Sequence, residues 1–317
     1  MLVKSLFEGP PPVIIWDVSN IAHQAANSRN KLTTSKGEPS NHIFVTFRKI
    51  ISLVKKISPV HSQKVELWFA FDGCPQKRLE LSEGNYKANR DHQKSFSMSD
   101  VKDMLKVFPG TCWYDSNVEA DDIITSLCSL ADKERKKVIV SNDKDFWQLL
   151  NVEKLSIWSS KEWVTPQMIK EKYGVERPNS VALVKALFGD KGDNIDPIVP
   201  RLTKKPLFDL INKEKLTKPS SLIKQLRKKY NRENAVFQKV MEHKKELKNN
   251  FQLVKLNPSL EINSTEVKSI KDCKVSHKTG EDNLPISERK KILKRILTRW
   301  ECTSLIEQFD FLFGKCF

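Results

Sequence analysis

Three short apolar runs stand out from the polar background of the chain: residues 13–16 (VIIW), 65–71 (VELWFAF) and 138–140 (VIV). Runs of this length, rich in Val, Ile and aromatic residues, predict buried strands. Between them the apolar positions switch to helical spacing, over 42–57 and over 122–137. Ala120, Ile123, Ile124, Leu127, Cys128 and Ala131 follow i, i+3, i+4, i+7, i+8, i+11, one continuous stripe able to pack on a sheet. Strands alternating with helices predict an α/β fold with a parallel sheet. Further along, Pro178, Asn179 and Ser180 open a helical pattern that continues to Phe188.

The parallel sheet changes the meaning of the acidic residues. Each run is followed, at once or within three residues, by an aspartate: Asp17, Asp72 and Asp143, with Asp145 two positions later. All strand C-termini of such a sheet share one edge, where ligand sites form. A further stretch, VEADD at 118–122, puts Glu119, Asp121 and Asp122 within four positions at a helix start. Two such charges about 4 Å apart repel by about 4 kcal/mol at an effective dielectric near 20. The helix dipole offsets about 1 kcal/mol or less for each. A divalent cation is expected to supply the remainder. An aspartate after a strand is a common turn residue, and an acid at a helix start is a common cap; the coincidence of all these positions at one edge favours a site. An all-carboxylate donor set suits a hard ion, Mg²⁺ with Mn²⁺ as a substitute, and so many carboxylates suit two ions. Such a pair activates water for in-line displacement at phosphorus.

Charge adds the partner. The 317 residues carry a formal net charge of +16, which favours a polyanion and above all nucleic acid. Residues 201–248 hold 15 Lys or Arg against 5 Asp or Glu, so the second half concentrates that charge. No apolar run approaches the roughly 20 residues of a bilayer-spanning helix, and the N-terminus, with one lysine and a proline run, makes a poor secretory signal. The six cysteines include no C-x-x-C pair, the pattern of free thiols in a reducing cytoplasm rather than a zinc site.

VEADDIITSL, VIVSNDKDFWQLL and LFGDKGDNI, in that order, together with NYKANRD at 85–91, resemble the 5′ nuclease superfamily of flap endonucleases, phage 5′→3′ exonucleases and phage RNase H, the phage RNase H kind being the nearer comparison. The resemblance runs from about residue 13 to 256. It implies a PIN-like catalytic domain over 1–175, with an arch at about 75–112 through which a 5′ single strand passes. A mainly helical helix–three-turn–helix region over 176–256 would grip duplex DNA, followed by a linker and helical tail over 257–317. By the same resemblance Asp17, Asp72, Glu119, Asp121, Asp122, Asp143, Asp145, Asp190 and Asp193 are metal-site acids. Lys87 and Arg90 are the basic pair that approaches the scissile phosphate; standing i, i+3, they would share one face of a helix. Tyr86 stacks on an unpaired base or packs on its neighbours. Lys185, Arg201, Thr203, Lys204 and Lys205 are candidates for phosphate contacts. One departure is clear. The family's glycine-rich hairpin is replaced by DPIVPRLTKK, without glycine, which leaves the monovalent-ion site of that hairpin open and shifts the grip on the duplex towards side chains.

The expected protein is thus a monomeric cytoplasmic enzyme, in the host cytoplasm if phage-encoded. It would act on DNA with 5′ flaps, nicks or ends and on RNA–DNA hybrids, as in primer removal during replication. A PIN-like ribonuclease and a non-catalytic junction-binding protein are the competing readings. The tail has two open roles: capping the core, or docking a replication clamp or single-strand-binding protein.

Overall fold

The computed structural model describes residues 10–57, 64–89, 96–159, 162–198, 204–230, 234–256 and 284–316. Six strands form one sheet: β1 (Val13–Asp17), β2 (Glu66–Ala70), β3 (Thr111–Trp113), β4 (Lys137–Val140), β5 (Leu155–Ser159) and β6 (Glu162–Trp163). Their order is β3-β2-β1-β4-β5-β6. All pairs are parallel except β5–β6 at the edge. The three runs legible as strands are the three central ones. β3, β5 and β6 lie further out, and β3 and β6 are too short to show a pattern.

Both sheet faces are buried, as a parallel sheet requires. Ile14 and Trp16 of β1 point to one face with Leu67, Phe69, Val138 and Val140, and Val13 and Ile15 point to the other with Trp68, Ala70 and Ile139. The second face is covered by α5 (Ala120–Leu130), whose predicted stripe is fully buried, and the same cluster runs on into α7 (Val181–Phe188), α9 (Pro219–Lys229) and α11 (Lys244–Val254). The first face is covered by α1 (Val18–Ala26), α2 (Asn41–Ile57) and α4 (Met98–Lys106), and then by the C-terminal segment.

The described part of that segment caps the first face. Leu293, Leu297 and Trp300 of and after α12 (Ile286–Arg299), with Leu312 and Phe313 of α13 (Phe309–Lys315), pack into the cluster of the first face. Val65 pairs with Cys316 as a parallel bridge, and Lys64 Nζ donates to the Gly314 carbonyl at 3.0 Å. Leu297, Trp300, Leu312 and Phe313 are buried inside the chain, and Ile292, Ile296 and Phe311 are partly buried against the same cluster.

The helix expected over 122–137 ends early, at Leu130. Asp132 Oδ1 accepts from Glu134 N at 3.0 Å and its carbonyl accepts from Arg135 N, an Asx turn that competes with helical bonding. This stop frees Lys137 to begin β4. Among the described residues no helix is long and apolar enough to cross a membrane.

Candidate active site

The strand-ending aspartates meet at one sheet edge, and each also does the structural job that its position suggests. Asp17 caps α1, its Oδ1 accepting from Asn20 N at 3.1 Å, while its Oδ2 accepts from Ser141 Oγ at 2.7 Å. Asp143 Oδ1 accepts from Asp145 N at 2.8 Å and so caps the 3₁₀ turn Lys144–Leu149. Asp190 Oδ1 accepts from Gly192 N at 3.0 Å. Asp72 caps a helix that is remote in sequence: its Oδ1 accepts from Ala120 N, the first residue of α5, at 2.8 Å. One backbone bond fixes the orientation of each carboxylate. Capping and site building are one arrangement here.

Two groups of acids result. In the first, Asp143 and Asp17 lie close enough to act on Asp121, and Asp72 and Asp143 close enough to act on Asp17. Burial, then Asp72, raises the Asp17 pKa to about 7, with Asp143 adding to the rise. Burial, then Asp143, raises Asp121 well above the ordinary carboxylate range. Like charges brought together in a dry site favour protonation or a bound cation. In the second group, Asp145, Asp190 and Asp193 each offer an oxygen, all within 4.8 Å of one another. Gly189 makes that second loop possible. Its φ is +79°, and a Cβ there would stand 2.6 Å from the Ile195 carbonyl oxygen.

The three carboxylates of VEADD part company. Asp121 stays with the first group. Glu119 and Asp122 turn to Arg78, whose side chain is buried: Nη1 bonds both, Nη2 donates to Asp122 Oδ1 at 2.8 Å, and Nε donates to the Leu253 carbonyl at 3.0 Å. Lys87 Nζ lies 2.5 Å from Glu119 Oε1 and 3.9 Å from Asp193 Oδ1. Burial works against the Glu119 anion, but Lys87 and Arg78 outweigh it and hold its pKa low. Much of the crowding that called for a divalent cation is therefore relieved by two side-chain cations. Arg78 was not anticipated: it is one of 55 basic residues, and no spacing marks the one that turns inward.

Four further expectations meet the geometry. Lys87 sits in a turn, not on a helix, with φ +56°; its N–H donates to the Asp193 carbonyl at 3.0 Å. Asn194 Nδ2 to the Asn85 carbonyl and Asn89 Nδ2 to the Lys191 carbonyl, both 2.9 Å, staple this turn onto the 190–194 loop. Tyr86 is only 4% exposed, its hydroxyl 3.4 Å from Glu119 Oε2, so it packs on its neighbours instead of presenting a face to a base. Lys185 is likewise buried, paired with Asp145 and lying 2.5 Å from Asp190 Oδ2, so it is a counter-ion of the second acid group and not part of a duplex-facing surface. Lys204 and Lys205 are exposed at the first turn of α8 (Lys204–Lys213). Arg90, Arg201, Thr203 and the middle of the glycine-free hairpin, residues 199–203, lie outside the described residues.

The site is thus a set of carboxylates, several of them buried, gathered at the C-terminal edge of the sheet of an α/β domain, with a basic turn over them. Residues 12–174 match the sequence family described as 5′-3′ exonuclease, N-terminal resolvase-like domain, and the chain belongs to that family. It is 27% identical over 306 residues to a 5′-3′ exonuclease of Aquifex aeolicus, covering 95% of this chain and 96% of that one. It is also 27% identical over 313 residues to the thermostable DNA polymerase I of Thermus aquaticus, of whose length it spans 34%. Among solved structures, a bacteriophage T5 flap endonuclease in a complex with DNA and metal ions superposes with a TM-score of 0.56. Identity there is 19%, with 92% of this chain and 99% of that one covered, so the fold is shared.

Proposed function

We propose that the protein is a structure-specific 5′ nuclease that hydrolyses phosphodiesters at 5′ flaps, nicks and ends of DNA and in RNA–DNA hybrids, using two divalent ions, Mg²⁺ by preference. The observation that carries this reading is the pairing of two acid groups at one sheet edge with Lys87 beside them. The donor set fits hard divalent ions: it is all carboxylate, and Asp17 and Asp121 stand in a field that resists their ionisation. Asp17, Asp72, Asp121 and Asp143 would hold one ion, and Asp145, Asp190 and Asp193 the other. When bound, such ions supply a deprotonated water at neutral pH and neutralise charge on phosphoryl oxygens. The chain's own contribution is orientation and charge. Backbone bonds fix Asp17, Asp72, Asp143 and Asp190, and Lys87 would stabilise charge on the phosphoryl group. Residues 1–175 carry the chemistry together with Asp190 and Asp193; the arch expected over 75–112 is confined to the part before α4, because α4 and Thr111–Trp113 of β3 are core elements, and 176–256 grip the duplex through phosphate contacts from Lys204, Lys205 and the side chains near them.

The test incubates labelled flap, nicked and RNA–DNA substrates with Mg²⁺, with Mn²⁺ and with EDTA, alongside Asp121→Asn. Metal-dependent release of short 5′ products, abolished in the variant, is expected. Absence of metal-dependent cleavage on all three substrates would remove the proposal.

A further inference from the structure

A second cavity, of about 270 Å³, lies one wall away from the carboxylate cleft. Lys49, Ser52 and Lys56 reach it from one face of α2 at i, i+3, i+7 spacing, and Gln24, Asn142 and Trp158 close it from the other sides. None of its described lining residues is acidic. Lys49 is half-buried, and its ammonium donates to a neutral partner, Gln24 Oε1, at 3.2 Å. Burial lowers its pKa from the ordinary lysine value. Ion burial without an anion costs stability. Trp16, which also lines the cavity, has an indole N–H that is buried without a hydrogen-bond partner among the described residues. The position is linked to the catalytic edge. Gln24 Nε2 donates to Asn20 Oδ1 at 2.5 Å, Asn142 N donates to the same oxygen at 3.1 Å, and Asn142 lines both cavities.

We propose that this cavity is a phosphate-monoester site, with Lys49 and Lys56 as its cations, taking the phosphate of a mononucleotide or of a strand's 5′ end. A volume just under the roughly 300 Å³ at which drug-sized sites begin suits so small a ligand. The proposal rests on the nuclease reading only for the source of the phosphate: hydrolysis that leaves 5′-phosphates makes both sources.

Binding is measured in EDTA, by tryptophan fluorescence and by thermal shift, with inorganic phosphate, dAMP, and short oligonucleotides with 5′-phosphate or 5′-hydroxyl ends. The wild type should bind dAMP saturably. Lys49→Met should weaken that by about tenfold to a hundredfold, the loss of one charge-assisted hydrogen bond, while the unliganded variant melts at the same temperature or higher. Lys49→Gln repeats the test should the first variant fail to fold. A preference for the 5′-phosphorylated oligonucleotide that is lost in the variant assigns strand ends as the source; dAMP binding with no such preference assigns the free monoester. Absence of dAMP and phosphate binding in the wild type, or equal binding in both variants, overturns the site. Cleavage of flap substrate in Mg²⁺, scored separately, keeps the two readings apart: a protein that cleaves but does not bind loses the cavity proposal alone, and one that binds but does not cleave loses the nuclease reading alone.

Discussion

The Arg78 guanidinium spans both oxygens of Asp122, at 2.6 Å and 2.8 Å, and its Nε–H donates to the Leu253 carbonyl at 3.0 Å. One side chain therefore ties α3 (Gln76–Leu81) to the start of α5 and the end of α11. Planar, bidentate geometry is what an arginine supplies and a lysine does not. The pair also sets two of the three VEADD acids apart from the first group. Asp122 is committed to Arg78 and Glu119 is shared between Arg78 and Lys87, which leaves Asp17, Asp72, Asp121 and Asp143 as the first group.

Removing Arg78 leaves two carboxylates without their buried partner. Arg78→Met is expected to lower stability by about 3–5 kcal/mol, the usual result of breaking a buried pair from one side. Arg78→Lys keeps the charge but loses the fork, and should fall between the two. Urea unfolding of the three proteins measures this. A loss below about 1 kcal/mol for Arg78→Met would mean that the pair contributes little.

Lys185 is a built-in competitor for the second acid group. Its ammonium occupies Asp145 and Asp190, two of the three residues whose oxygens converge. Lys185→Met removes one positive charge a few ångströms from the point where an ion would sit, worth up to about 8 kcal/mol for a doubly charged ion about 4 Å away at an effective dielectric near 20, as an upper bound. Mn²⁺ should bind the variant roughly tenfold or more tightly at its weaker site, read by electron paramagnetic resonance titration. Unchanged affinity would show that Lys185 does not oppose the ion.

Much of this was legible in the sequence because it rests on short-range patterns. The central strands, the stripe of α5 and the aspartates at strand ends follow from periodicity and from the geometry of a parallel sheet, and the same residues turned out to be caps. What escaped is what depends on long-range placement. Nothing local distinguishes Arg78 from an exposed arginine, or Lys185 in an apolar helix from a lysine reaching for phosphate. The left-handed turn at Lys87 was hidden by a spacing that suits a helix equally well. The length of α5 was overread because the polar stretch after Ala131 is rich in good helix formers, and a single Asx turn at Asp132 decides against them.

The C-terminal segment is a structural layer. Leu293 and Leu297 are fully buried against the first sheet face, and Glu301 accepts from Ser35 N at 2.8 Å at the segment's far side. Leu297→Ala should cost about 2–5 kcal/mol, the range for a truncated core leucine. The melting temperature should fall, while cleavage per folded molecule at low temperature stays close to that of the wild type. A variant with unchanged stability but reduced cleavage would instead assign the segment to the substrate.

Asp17 gives the metal-free protein a distinctive pH dependence. Its pKa is raised to about 7 in the folded state, by burial first and by Asp72 next, from an ordinary value of 3.8. Between those values the folded protein holds a proton that the unfolded chain has lost. Stability must therefore fall as pH rises through that window. Glu119 has the opposite sign, its depressed pKa contributing stability that is lost only as pH falls below the ordinary glutamate value, so it does not cancel the effect. A divalent ion competes with the Asp17 proton, so its affinity should climb through the same window and level off above about pH 7. Melting curves from about pH 5 to pH 8, in EDTA and in Mn²⁺, should show a falling line in EDTA and a gap that widens towards neutrality. Asp17→Asn, which cannot ionise, should make the EDTA line shallower, the fall that remains coming from Asp121, whose pKa is raised in the same direction. A line that rises with pH in EDTA, or a slope unchanged in Asp17→Asn, would show that Asp17 is not the group that the ion replaces a proton on.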